Sequence, residues 1–246
     1  MSASKRAFRR GAPGARKNSM NTFILCSLLG IAAASLSAGE PTGQWQPLFP
    51  AEGVPQGWSA RRWNDLSQPA TNVVWKVENG VLRGGEPRGS WLVSDQEYRN
   101  FVLEYEFKLG PLGNSGCALR APLFGDPAFD GMELQMADLR YNPKAKDSEL
   151  TGGLYRAIAP RRQVYKPEQW NQCQITLQDT RLRVTLNGEL IQDLDLSAQD
   201  QAVKRHDGKD APPVKDRPAK GHIGFQELSR GGEPVQIRHA RIKILE

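Results

Sequence analysis

The stretch Phe101-Val102-Leu103-Glu104-Tyr105-Glu106-Phe107 alternates apolar and polar side chains and is typical of a half-buried β-strand. The same period of two recurs along the chain, as in Gln174-Ile175-Thr176-Leu177. Asn79-Gly80 and Asn187-Gly188 separate such runs and favour tight hairpins, because both residue types tolerate positive φ. No segment keeps the spacing of an amphipathic helix over a dozen residues. The pattern predicts an all-β fold, either a two-sheet sandwich or a barrel.

The first 38 residues have the layout of a secretory signal peptide. They contain six Lys and Arg residues and no Asp or Glu, then the apolar run 23–34 and the small-residue segment 35–38. The run is shorter than the roughly 20 apolar residues of a membrane-spanning helix. We expect an exported protein, periplasmic or extracellular, with no stable membrane span after cleavage. An uncleaved anchor is the alternative, and either Met1 or Met20 can be the start.

The charge balance argues against a nucleic-acid partner. The whole chain has 33 Lys and Arg against 27 Asp and Glu, but the leader accounts for the entire excess. Residues 39–246 hold 27 of each sign. A domain with no net positive charge lacks the electrostatic attraction that draws proteins to phosphate backbones.

Residues 39–246 are expected to form one domain. The polar, Pro-containing segment 199–220 is predicted to be a long exposed loop. Because strand patterns continue after it, we interpret this segment as an insertion. Cys117 and Cys173 alternate with apolar residues on predicted strands, so buried free thiols are the favoured interpretation and a disulfide is the alternative.

Two predicted strands carry candidate site residues. In the stretch 114–120 (NSGCALR), alternation places Arg120 on one face with two small residues, Gly116 and Ala118, which leaves open space before the guanidinium. In the stretch 131–138 (GMELQMAD), Glu133 and Gln135 share the face opposite three apolar residues. Such a polar face is either a binding surface or the ordinary solvent side of a sheet.

The sequence contains no phosphate-binding glycine loop, no Cys-x-x-Cys, no His-Glu-x-x-His and no Gly-x-Ser-x-Gly. Nucleotide-binding, zinc-finger and serine-hydrolase functions therefore have no support.

Eight short stretches follow one another from about residue 45 to the C-terminus. They are residues 75–82 (WKVENGVL), 98–107 (YRNFVLEYEF), 113–116 with 119–120 (GNSG and LR), 131–135 (GMELQ), 151–155 (TGGLY), 170–171 (WN), 186–188 (LNG) and 221–226 (GHIGFQ). In this order they resemble the 3-keto-disaccharide hydrolase domain family, whose members are mostly exported bacterial proteins. The resemblance implies an all-β, concanavalin-like jelly-roll sandwich of two antiparallel sheets.

One departure from the family pattern concerns a histidine. Many members have Asp-His-Gly after the final Gly-Leu-Gln, whereas this chain continues Gln226-Glu227-Leu228-Ser229. His222, or His206 in the insertion, could replace the missing side chain.

The resemblance implies cleavage of glycosides whose sugar has been oxidised to a 3-ketone. A carbonyl at C3 acidifies the C2 proton, so a base can remove it, the C1 substituent can leave, and water can add afterwards. Glu133 is the candidate base, Arg120 the enolate stabiliser, and His222 an acid, base or metal ligand. The substrate is expected to contact Asn114, Ser115, Gln135, Tyr155 and Asp138.

Several alternatives stay open. A divalent cation on Glu133, His222 or Asp138 could act in place of Arg120, although no ligand spacing requires a cofactor. Hydrolysis by two carboxylates is less favoured, because Gln135 and not an acid follows Glu133 on its face. A non-catalytic carbohydrate-binding module would use the same face only to hold sugar, and a structural or adhesive envelope domain would need no such face.

Overall fold

A computed structural model describes residues 43–246. The signal peptide predicted for residues 1–38 lies outside the described residues. Within the described part, the chain forms sixteen β-strands, numbered here in chain order, one short α-helix, α1 (Pro127–Asp130), and three 3-10 turns. No helix between residues 43 and 246 has the length and apolar character needed to cross a membrane.

The strands form two large antiparallel sheets and one small hairpin. The eight-stranded sheet has the order β12 (Glu189–Asp195), β11 (Arg181–Leu186), β10 (Asn171–Gln178), β7 (Phe101–Lys108), β16 (Gln236–Ile244), β5 (Val81–Glu86) and β4 (Val74–Glu78), with β1 (Trp45–Pro47) beside the second half of β16. The six-stranded sheet has the order β3 (Asp65–Pro69), β2 (Trp58–Arg62), β6 (Ser90–Tyr98), β15 (Gly221–Glu227), β8 (Asn114–Ala121) and β9 (Met132–Ala137).

The main hydrophobic core lies between the two sheets. Tyr105 and Ile175 enter it from the eight-stranded sheet, and Leu134 and Phe225 enter it from the six-stranded sheet. Burying one face of each sheet against the other is what the alternating pattern requires. The predicted concanavalin-like jelly-roll sandwich is confirmed. Cys117 and Cys173 also point into this core as free, buried thiols.

Both predicted Asn-Gly hairpin turns are present. Asn79 and Gly80 join β4 to β5 with φ angles of 53° and 72°, and Asn187 and Gly188 join β11 to β12 with 51° and 84°. Two consecutive positive φ angles match the twist of adjacent strands.

A β-bulge interrupts β8 where it pairs with β15. Between the paired positions Ala118–Gly224 and Ala121–His222, two residues of β8 lie opposite one residue of β15. Arg120 is one of the two and has a left-handed φ of 50°. Because a bulge breaks the period-two alternation, it points the side chain in a new direction.

Segment 199–220 is more ordered than the exposed loop predicted for it. It contains the hairpin of β13 (Val203–Lys204) and β14 (Asp210–Ala211) and a 3-10 turn at Val214–Asp216. Val203 and Ala211 are buried against Ala128 and Phe129 of α1. The insertion therefore has a small core of its own with α1.

Candidate active site

The alternation predicted for β9 is present and gives the strand two different faces. Met132, Leu134 and Met136 lie in the core between the sheets. Glu133 and Gln135 point away from it and line a cleft of about 420 Å³. The cleft lies on the side of the six-stranded sheet that faces away from its partner sheet.

Two small residues of β8 make room for the Glu133 side chain. Ala118 pairs with Glu133, and Gly116 pairs with Gln135. A Cβ atom at Gly116 would overlap the Glu133 carboxyl. The space predicted to lie in front of Arg120 is therefore occupied by Glu133.

The Glu133 carboxyl is poorly solvated. The residue is 3% exposed. No group between residues 43 and 246 forms a hydrogen bond with this carboxyl in the structure. Burial raises its pKa well above the usual range, and the nearby negative charge of Asp126 raises it further. Groups of this kind cluster at functional sites.

Asp126 supplies a second carboxyl to the cleft. It is the N-cap of α1 and accepts a hydrogen bond of 3.0 Å from the Ala128 N–H. Burial raises the pKa of Asp126 to about 6, and the neighbouring Asp130 carboxylate adds to the shift. Sequence reasoning missed this residue because it lies outside the strands. Its signal is the pair Asp126-Pro127, an N-cap followed by proline at the first helical position.

Segment 199–220 brings His206 to the cleft lining. It is one of the two histidines considered as replacements for the missing family histidine. The His206 ring centroid lies 5.2 Å from Phe129, 5.9 Å from Tyr155 and 6.0 Å from Trp63. Burial lowers the pKa of His206, which favours the neutral imidazole. Trp63, Tyr155 and His206 line the cleft as one wall, called here the aromatic wall, and the buried Phe129 packs against Tyr155 and His206.

Two arginines fasten the insertion to α1. Arg205 donates two hydrogen bonds to the Asp130 carboxylate, at 2.6 and 2.9 Å. Arg217 donates through Nη1 to the carbonyls of Ala128 and Gly131, at 3.0 and 2.9 Å. Bidentate pairing fixes direction as well as distance. His206 is therefore held in the cleft by its immediate neighbour Arg205.

Three of the predicted binding residues share the cleft with Glu133. Asn114, Gln135 and Tyr155 all line it. The Tyr155 N–H donates to the Glu133 carbonyl at 2.9 Å, which joins the loop after β9 to the strand. Burial, together with the Glu133 carboxylate, raises the pKa of the Tyr155 phenol, so the phenol stays protonated.

The structure places Arg120 outside the cleft. Its guanidinium donates to the carbonyl of Arg99 at 2.5 and 2.8 Å and to the carbonyl of Asp179 at 2.9 Å. It therefore ties β8 to two turns. The β-bulge explains why strict alternation gave the wrong direction for this side chain.

His222 and Ser115 also lie outside the cleft lining. His222 Nδ1 is 2.7 Å from the carbonyl of Ser94, and its Nε2 is 3.9 Å from Glu97. Ser115 is buried and donates to the carbonyl of Gln226 at 2.6 Å. Both side chains contact neighbouring strands, so the structure does not bring them to the cleft with Glu133.

Asp138 is near the cleft but already paired. Arg140 donates to its two carboxylate oxygens at 2.7 and 3.0 Å, and the Tyr165 hydroxyl donates at 3.3 Å. These donors hold the pKa of Asp138 below its usual range.

Between residues 43 and 246, no three His, Cys, Asp or Glu side chains are grouped so that they could hold a metal ion. The trio of Glu133, His222 and Asp138 does not converge.

The cleft lining also includes cationic and amide groups. They belong to Arg88, Arg230 and Gln226. Arg88 donates to the Leu228 carbonyl at 2.5 Å, and Arg230 stacks 4.3 Å from the Tyr141 ring. The cleft therefore combines buried acids, amides, aromatic rings and cations, which is a surface suited to a polar ring with many hydroxyl groups.

The sequence of this region agrees with the geometry. Residues 44–243 match the model of the 3-keto-alpha-glucoside-1,2-lyase-like domain. The chain belongs to this family. The resemblance found in the eight short stretches is thus confirmed.

This chain is also similar to one named hydrolase and to two solved structures. It is 25% identical to a 3-keto-disaccharide hydrolase of Bacteroides thetaiotaomicron, with 75% of this chain and 74% of the relative covered. Two crystal structures of candidate glycosyl hydrolases from Parabacteroides distasonis are also similar. The first has a TM-score of 0.64 and 27% identity, covering 82% of this chain and 100% of the other. The second has 0.63 and 26%, covering 83% and 94%.

Proposed function

We propose that this protein cleaves glycosides whose sugar carries a ketone at C3. Family membership and the name of the Bacteroides relative support the substrate class. The observation that carries the proposal is Glu133, a buried carboxyl in the cleft with a raised pKa and no hydrogen-bond partner among residues 43–246.

The proposed chemistry begins with proton transfer from C2 to Glu133. The C3 carbonyl accepts the electron pair as an enolate. The enolate electrons then form a C1–C2 double bond as the C1–O bond breaks, and the aglycone oxygen takes the proton that Glu133 had removed, so the aglycone leaves as an alcohol. Water finally adds across the double bond, with its hydroxyl at C1 and its proton at C2. A carboxylate with a raised pKa is a stronger base than an ordinary one, so it suits a proton acidified by a neighbouring ketone. Its lack of partners leaves the oxygen atoms free to reach the substrate.

Two other cleft residues take the roles first predicted for Arg120 and His222. The protonated phenol of Tyr155 can donate a hydrogen bond to the developing enolate oxygen. The neutral imidazole of His206 can donate a hydrogen bond from its N–H to the leaving oxygen at C1 and so stabilise the charge that develops there. Both residues belong to the aromatic wall, which also offers apolar surface to the sugar ring.

The test is release of the aglycone from a 3-keto-glycoside by the wild type and by Glu133→Gln. The variant keeps the shape of the side chain and removes the base, so turnover should fall by roughly 10² to 10⁴ while substrate binding survives. Glu227→Gln is the matched control. Glu227 is also buried, but its carboxylate accepts from the Ser229 and Val235 N–H groups and not from the cleft. Full activity in Glu133→Gln would contradict the proposal.

Two other functions have a specific observation in their favour. Asp126 supplies the second carboxyl that two-carboxylate hydrolysis needs. The aromatic wall also suits a non-catalytic sugar-binding module. Incubation with the unoxidised parent glycoside separates these alternatives. Its cleavage would indicate the two-carboxylate mechanism, and binding of both sugars without any cleavage would indicate a binding module.

We also propose that the protein is exported after loss of residues 1–38, on the strength of the basic, apolar and small-residue order of that segment. N-terminal sequencing of the mature protein tests this. An intact N-terminus on cytoplasmic protein would contradict it.

A further inference from the structure

A small chamber opens beside the cleft. Its volume is about 40 Å³. One water molecule needs roughly 10–15 Å³, so the chamber has room for a group of two or three heavy atoms but not for a sugar ring. Glu133 lines the cleft and not the chamber. The residues shared by both are Asn114, Gln135, Tyr141, Asn142 and Tyr155.

Asn114 presents an unsatisfied polar atom at this junction. The residue is 7% exposed. Its backbone is held by hydrogen bonds with Ser229 and Leu228. Its side-chain Oδ1 is buried and has no partner among residues 43–246. Buried polar atoms almost always have a partner, so this oxygen is left for a donor from a ligand.

Gln135 complements Asn114. Its Oε1 accepts from the Met136 N–H at 3.1 Å, which leaves the Nε2 group as a donor. A single hydroxyl can accept from Gln135 and donate to Asn114. Because a hydroxyl group can donate one hydrogen bond and accept another, it can satisfy both amide groups at once.

The chamber carries no free charge. Asp138 and Glu149 line it, but Arg140 pairs with the first at 2.7 Å and Arg156 pairs with the second at 2.8 Å. The remaining wall includes Leu150 and two alanines. A neutral alcohol therefore fits, whereas an ammonium, carboxylate or phosphate group would lack a free counter-charge.

The position of the chamber selects one group of the sugar. Gln135 follows Glu133 by two residues on the same face of β9, a distance of about 7 Å along the strand. In a pyranose, C5 lies directly across the ring from C2. We propose that the chamber binds the hydroxymethyl group on C5, so that the protein prefers hexosides to pentosides. This inference rests on the proposed function, since it places C2 at Glu133.

The experiment compares a 3-keto-glucoside with the 3-keto-xyloside of the same aglycone, which lacks the hydroxymethyl group. The wild type should prefer the glucoside by roughly 10² or more in kcat/KM. Asn114→Ala should reduce that preference at least tenfold, mainly by losing activity on the glucoside. Gln192→Ala is the matched control, because Gln192 is another buried amide with an unpartnered oxygen but lies outside both cavities. It should keep the wild-type preference.

Equal kcat/KM for the two sugars in the wild type would overturn the inference, as would an equal loss on both sugars in Asn114→Ala. The wild-type comparison needs no variant and so does not depend on a variant folding.

Calorimetric binding of the unoxidised glucoside and xyloside separates this inference from the proposed function. If no 3-keto-glycoside is cleaved, the proposed function fails, yet tighter binding of the glucoside still supports the chamber. Equal binding, or no binding, overturns it.

Discussion

Glu133 owes its raised pKa first to burial and then to the negative charge of Asp126, although the two carboxyls come from different elements. Asp126 caps α1, and Glu133 lies on β9. Because α1 directly precedes β9 in the chain, the helix cap contributes to the proton affinity of the group that we propose as the base.

Asp126→Asn should move the pH dependence of kcat/KM. Asparagine also caps helices well, so α1 should persist while the charge is lost. Without that charge the pKa of Glu133 falls, and the rise of activity with pH should begin at lower pH. A pH–rate profile measures this. An unchanged acidic limb in a folded variant would show that the two groups are not coupled. Asp95→Asn, outside the cleft, is the control.

Glu133→Gln should make the fold less sensitive to alkaline pH. In the unfolded chain the carboxyl ionises near its ordinary pKa of 4.5, whereas in the fold it keeps its proton to higher pH. Stability contributed by the protonated form is therefore lost as pH rises from about 4.5 through the raised pKa of the folded state. We expect the variant to melt at least about 2 °C above the wild type at pH 8, with a smaller difference at pH 4. A difference independent of pH would contradict this.

Gly116→Ala should displace Glu133. The added Cβ overlaps the carboxyl, so the side chain must leave its position over Gly116. Misplacement of a catalytic group by about 1 Å can cost roughly 10²-fold, and we expect a loss of that order in kcat. Gly224→Ala on neighbouring β15 is the control, because its Cβ would meet the Leu92 carbonyl at 3.1 Å and no cleft group. Equal activity in the two variants would argue against Glu133.

Arg120→Lys should lower stability without lowering the kcat/KM of the folded protein. The guanidinium makes charged hydrogen bonds to the carbonyls of Arg99 and Asp179, and an ammonium group cannot hold both in the same fork. We expect a loss of about 2–4 kcal/mol in the free energy of unfolding, measured by denaturant titration. Retained stability with reduced kcat/KM would restore Arg120 to the catalytic role predicted from sequence.

Arg205→Met should weaken catalysis through His206. The bidentate pair with Asp130 holds the hairpin that carries His206, so its loss should free the imidazole and reduce kcat/KM roughly tenfold. Lys204→Met is the matched control, since the pair of Lys204 with Asp210 is exposed on the same hairpin. Similar effects in both variants would point to general loosening of the insertion.

Period-two alternation was sufficient to predict an all-β fold and the orientation of β9, because sheet burial acts on every residue of a regular strand in the same way. The choice of a sandwich over a barrel came from the family resemblance. It placed Glu133 and Gln135 on one face, and the structure shows both in one cleft. It failed for Arg120, because a bulge adds one residue to the strand and nothing in the local sequence marks that addition.

Residues outside strands were harder to predict. Asp126 reaches the cleft from a helix cap, and His206 reaches it from a hairpin that packs on α1. Strand patterns contain no information on either. Asp138 directly follows β9, but its carboxylate is occupied by an ion pair with Arg140 and is not free for substrate. The sequence does not reveal this pairing, because Arg140 is an exposed residue in the segment that follows the strand.

Because β9 has one polar and one apolar face, enzymatic activity also reports whether β9 pairs with β8 in the correct register. Shifting β9 by one position would send Glu133 into the methionine-lined interior and turn Leu134 out towards the sugar. Such a misassembled chain could keep native-like circular dichroism and yet be inert. Specific activity therefore measures the fraction of molecules in which β9 and β8 pair in the correct register. Burying the Glu133 carboxylate in the apolar core would cost free energy, and this cost disfavours the shifted register during folding.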